Sequence, residues 1–158
     1  QLIVTDTDNK ALRRINSSTG TINTVTSAST VLNQPTGKVQ EPTSGDIYIT
    51  ANFLVLRFSC AIRFITSIVG SNTAGYLDGL FDETLFECIR LNFCHQNELV
   101  IADGVNNRLR ILNLRTNITT SICSGYPAHG DGSLRTCSVS QPQAFLLLNE
   151  TVYIGSVK

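Results

Sequence analysis

Apolar residues along this chain fall in short runs that alternate with polar ones, and no stretch keeps a helical period. The clearest case is "ELVIADGVNNRLRILNLRTNITTSI", residues 98–122. An apolar run stops at Asp103 and a Gly/Asn turn follows. The alternating stretch Leu109, Arg110, Ile111, Leu112 comes next, and then a Thr-rich, β-branched segment. Alternation over four to eight residues, bounded by turn formers, predicts short strands joined as antiparallel hairpins.

This unit is repeated. Residues 2–25 align without a gap on 99–122: Asp6 falls on Asp103, Asn9 on Asn106, Leu12 on Leu109, Arg13 on Arg110 and Asn16 on Asn113. A degenerate copy, "DIYITANFLVLRF", lies at 46–58, and a fourth begins at "TVYIGS", 151–156. Taking Leu2, Ile47, Leu99 and Val152 as equivalent, the steps are 45, 52 and 53 residues. A strand precedes each of the later anchors, as in "CIRLNF" (88–93) and "AFLLL" (144–148), so a complete unit has four strands. Four strands per period of about 40–50 residues, with no helical half, predict the blades of a β-propeller. The expected fold is therefore all-β. Blade one spans 1–27, blade two 37–70, blade three 88–123, and a fourth starts at 142–158.

"DGVNNRLRIL" in blade three and "DTDNKALRRINSSTGTINTV" in blade one resemble NHL repeats, with an Asp ending the second strand, an Asn after it and an Arg-flanked third strand. Blade two lacks that Asp and Asn, and its turn is two residues shorter. Asp6, Asn9, Asp103 and Asn106 suit turn capping, since their side chains hydrogen-bond backbone two residues on. Arg13 and Arg110 are expected to brace the turn or the neighbouring blade. The resemblance implies a ring of about six blades, or roughly 24 strands. The strands counted here are 13. The blade edges are accordingly expected to be covered by further blades of the same protein or by other copies of this chain.

Charge narrows the partners. Twelve basic side chains balance 12 acidic ones, so no net field favours nucleic acid. No apolar run approaches the roughly 20 residues of a membrane-spanning helix, so no membrane insertion is expected. Ser and Thr number 14 and 18, a leaning toward extracellular β domains. Three sequons begin at Asn16, Asn117 and Asn149; Asn16 and Asn117 map to outer hairpins and Asn149 to a turn between inner strands, so glycan on all three is expected to face solvent.

The five cysteines form no CxxC. Cys88 and Cys94 flank an extended segment and stand about 20 Å apart at about 3.3 Å per residue, beyond disulfide reach. Cys123 and Cys137 fall on one rim of one blade, which makes them the candidate disulfide; buried free thiols are the alternative. Cys60 has no evident partner. A disulfide with sequons implies a secreted or cell-surface protein.

The search for chemistry finds little. Peptidylglycine amidating lyases of the NHL type use several His ligands to a metal. This chain has only His95 and His129, and no zinc, phosphate or nucleophile motif. Asp78, Asp82 and Glu83 lack the spacing of a calcium loop. A non-catalytic extracellular propeller without a cofactor is the expected function. It would serve as a scaffold or filament subunit, or alternatively as a binding module for other proteins or glycans. The contact surface is expected on the Gly-rich loops 71–82 and 124–136, at Tyr76, Asp78, Tyr126, His129 and Asp131. Tyrosines in such loops suit interfaces; both could equally fold back onto their own blade.

Overall fold

The computed structural model describes residues 1–26, 31–87, 89–95, 97–123, 125–126, 128–133, 135–148 and 151–156. Among the described residues, fourteen strands fill four successive antiparallel sheets. The first sheet holds β1 (Leu2–Asp6), β2 (Ala11–Ile15) and β3 (Ile22–Thr26). The second holds β4 (Pro35–Gln40), β5 (Ile47–Ala51), β6 (Leu54–Ser59) and β7 (Phe64–Gly70). The third contains β8 (Gly79–Leu80), β9 (Ile89–His95), β10 (Glu98–Asp103), β11 (Arg108–Asn113) and β12 (Ile118–Ile122). The fourth pairs β13 (Pro142–Leu148) with β14 (Thr151–Ser156). These sheets are the blades of a propeller-like, all-β fold.

The strand added to the 13 read from sequence is β8. It comes from the loop before blade three and pairs with β12 through Ile118↔Leu80, giving the order β8-β12-β11-β10-β9. Two residues between turns carry no alternation, so nothing in the pattern marked it.

Successive sheets meet through one strand each: β4 lies beside β9, and β9 beside β13. Gly37 allows the first of these approaches. A Cβ there would sit 2.8 Å from the Leu91 backbone nitrogen and from Thr50 Oγ1. Apolar layers fill the spaces between blades. Leu12 packs with Ile47, Ile49, Leu56 and Phe58 between the first and second sheets. Tyr48, Val55 and Val69 meet Phe86, Leu99, Ile101 and Leu112 between the second and third. Every residue of β5 is buried because its sheet is covered on both faces, whereas β1 buries no residue fully.

The turns repeat as well as the strands. In blades one and three the hairpin between anchor and third strand has four loop residues, and its last, Lys10 or Asn107, is left-handed at φ 49° or 53°. In blade two the same hairpin has two loop residues, Asn52 and Phe53. The next hairpin outward closes identically in three blades. The N–H of Gly20, Arg63 or Asn117 donates to the carbonyl four residues back, and each of the three is left-handed.

Candidate binding site on the third sheet

Asp103 ends β10 fully buried. Its Oδ1 accepts from the Glu87 N–H and the Asn106 amide, both at 2.9 Å, and Oδ2 accepts from Arg110 at 2.8 Å. Burial dominates and pushes the Asp103 carboxyl above its ordinary range, against the pull of the Glu87 N–H and of Arg110. Blade one carries the same trio nearer solvent, with Asn9 and Arg13 donating to Asp6. There the Asn9 amide, followed by Arg13, holds the Asp6 carboxyl below its usual range.

Arg110 is fully buried and reaches beyond its own turn. Nη2 forms an ion pair with Asp78 Oδ1 and donates to the Leu77 carbonyl, both at 2.7 Å; Nη1 donates to the Leu85 carbonyl at 3.2 Å. Asp78 also accepts from the Ser121 N–H at 2.9 Å and from its hydroxyl at 3.1 Å. This expected contact residue is therefore tied to β11 and β12. The repeat made Arg110 a brace but could not name Asp78 as its partner.

Tyr76 folds back as well. Its ring lies under the Arg108 guanidinium, 3.9 Å from the centroid. Arg108 also lies against the second loop, since a Cβ on Gly125 would come within 2.5 Å of its Nη2. The two loops thus meet at Arg108. The turn beside it adds two anchors: Asn106 donates to the Gly75 carbonyl at 2.8 Å, and Asn107 Oδ1 accepts from the Gln141 N–H at 3.0 Å. Sequence reasoning missed Arg108, which has no counterpart in blade one, where Ala11 stands. Tyr126 projects outward, 76% exposed.

A disulfide joins Cys123 to Cys137 and ties the second loop to the end of β12. Beneath the loop lies a cleft of about 640 Å³. Val100, Leu109, Ile111 and Ile122 form its floor, Ile154 of β14 one wall, and His129 and Asp131 part of its rim. The volume and the largely apolar lining with few polar groups suit a small-molecule pocket.

The remaining site residues lie elsewhere. Asn16 is exposed, and its Oδ1 accepts from the N–H groups of Ser18 and Thr19. Asn117 is exposed at the left-handed position of its turn. Asn149 and Cys88 lie outside the described residues. Cys60 is an exposed free thiol. Blade two, read as lacking the Asp, has one at the other end of its anchor strand: Asp46 accepts from Arg57 and from the Cys60 N–H. Among the described residues no group of three His, Cys, Asp or Glu side chains stands where it could hold a metal ion, and no helix is long and apolar enough to cross a membrane.

Comparison with solved structures recovers the whole arrangement. A protein of unknown function from Bacteroides thetaiotaomicron matches with a TM-score of 0.80 at 18% identity, over 98% of this chain and 41% of its own. An auxiliary nutrient binding protein from the same organism matches at TM-score 0.75 and 16% identity, over 94% of this chain and 40% of its own. One from Bacteroides ovatus matches at TM-score 0.75 and 16% identity, over 98% and 42%. The likeness is one of fold. The chain spans about two fifths of the length of these structures. No family model and no curated protein matches the sequence.

Proposed function

We propose that this chain is part of an NHL-type propeller, extracellular or in the cell envelope, that works by binding a small ligand and catalyses nothing. The observation that carries the reading is the apolar cleft of about 640 Å³ beneath the disulfide-tied loop, with His129 and Asp131 on its rim. A rigid sheet supporting loops that surround a pocket is a common way to build recognition. Two of the similar structures are described as auxiliary nutrient binding proteins, which supports a binding role. The disulfide and the sequons at Asn16 and Asn117 support an oxidising compartment.

The test is a thermal-shift screen against mono- and oligosaccharides, amino acids and small aromatic compounds, repeated on Ile111→Asp. A bound ligand should raise Tm in the parent protein and not in the variant. No shift with any compound, or the same shift in both proteins, would overturn the reading.

A second reading, a scaffold or assembly subunit, draws on the exposed Leu2, Val4 and Ile22 of the first sheet and Tyr153 of the last. Sedimentation analysis over a range of concentrations separates the two. Growth into a ladder of species supports assembly, and one discrete species supports the binding module.

A further inference from the structure

A second, smaller cleft opens between the first and second sheets, away from the loops of blade three. It measures about 220 Å³. Its lining is mixed: Ile3, Val25, Ile47 and Phe58 supply the apolar part, Gln1, Thr24 and Gln40 a polar part, and Arg14 and Arg63 line it from opposite sheets. Both arginines are exposed. The ion pairs among the described residues engage Arg13, Arg57 and Arg110, and neither Arg14 nor Arg63. The two acidic groups nearby in blade two are already satisfied. Asp46 is held by Arg57 and the Cys60 N–H, and the Glu41 carboxylate accepts from the N–H groups of Thr43 and Ser44.

We infer that this cleft is a binding site for a small organic carboxylate with an apolar body. The apolar side chains of the lining face the body, and Arg14 and Arg63, neither in an ion pair among the described residues, each offer a guanidinium whose N–H groups match a carboxylate. The cleft is smaller than the roughly 300–1,000 Å³ of drug-sized pockets, which limits the occupant to about one ring or a short chain. Because the residues come from two blades, an occupant would also bridge them. A neutral compound of the same shape would leave both guanidinium groups without an anion, so charge supplies the selectivity.

Cys60 lines the same cleft and serves as a reporter. Its thiol donates to the Gly45 carbonyl at 3.0 Å, and burial, then Asp46, pushes it above the ordinary thiol range. Alkylation by neutral iodoacetamide at mildly alkaline pH, read on the Cys60 peptide by mass spectrometry, reports access to the cleft. Benzoate should slow this alkylation saturably, and benzamide, its neutral counterpart, should not. In R14Q/R63Q, protection by benzoate should weaken about tenfold or more, as loss of charge-assisted hydrogen bonds predicts. The circular dichroism of that variant should match the parent. Absence of saturable protection in the parent protein, equal protection by benzamide, or full protection retained in the variant would each overturn the site.

Discussion

Arg110 and Asp78 meet at 2.7 Å across the boundary between a strand and the loop that precedes its blade. The same guanidinium holds Asp103, fully buried, at 2.8 Å. One side chain thus fastens the 71–86 segment to blade three and compensates a buried carboxylate. Removing it leaves Asp103 without its cation in a dry site. Arg110→Met should cost about 3–5 kcal/mol in urea unfolding. The double variant R110M/D103N, which removes both charges, should be more stable than R110M alone. Asp78→Asn should cost less and show chiefly as faster amide exchange across 77–85.

The disulfide makes a separate prediction. Cys123 and Cys137 are 14 residues apart, and cross-linking a loop of about that length stabilises by about 3 kcal/mol through the unfolded chain. C123S/C137S should unfold at correspondingly lower urea and become sensitive to limited proteolysis within 125–136. Unchanged proteolysis would mean that the Arg108 contact alone holds the loop.

Asn117 occupies the left-handed corner that Gly20 and Arg63 occupy in the other blades. Asn117→Gly should retain stability, and Asn117→Val should lose about 1–2 kcal/mol because a β-branched side chain resists that conformation. The same position carries a sequon. Expression in a glycosylating secretory host should add a glycan to Asn117 that Asn117→Gly abolishes, as intact mass will show. A mass without glycan in the parent protein would contradict the secretory assignment.

Glu41 supplies a pH dependence. Its carboxylate accepts from Ser44 first and Thr43 next, which lowers its pKa from 4.5 to about 2. A carboxyl lowered on folding adds stability above its unfolded pKa, and that contribution is lost as pH falls toward the folded value. The 41–46 turn should therefore stay closed at pH 4 and weaken between about 4.5 and about 2. NMR titration of the Glu41 side chain should give a midpoint near the lower value. In Glu41→Gln, the acid-dependent change in the Thr43 and Ser44 amide shifts should disappear.

Much of the blade architecture was legible because a hairpin is local. Alternation sets the strands, and the Asp, Asn and Arg at fixed offsets mark a turn whose partners lie within seven residues, as Asp6–Asn9–Arg13 and Asp103–Asn106–Arg110 show. Blade two was harder to read. Its tight hairpin has no space for the same trio, and the Asp–Arg pair moved to the opposite end of the anchor strand, where Asp46 meets Arg57.

The sequence by itself determined the four repeated units, their strand order and the candidate pairing of Cys123 with Cys137. Each depends on residues near one another in the chain or on a period that repeats along it. Tertiary structure decided which loop residues remain available. Asp78 and Tyr76 became part of blade three because Arg110 and Arg108 reach them from strands far along the chain. The same long-range packing brought His129 and Asp131 to the rim of a cleft whose wall is Ile154. It also brought Arg14 and Arg63 into the lining of a common space. A residue's neighbours across blades follow from how sheets stack, and stacking depends on the whole apolar surface of each sheet, which no local pattern encodes.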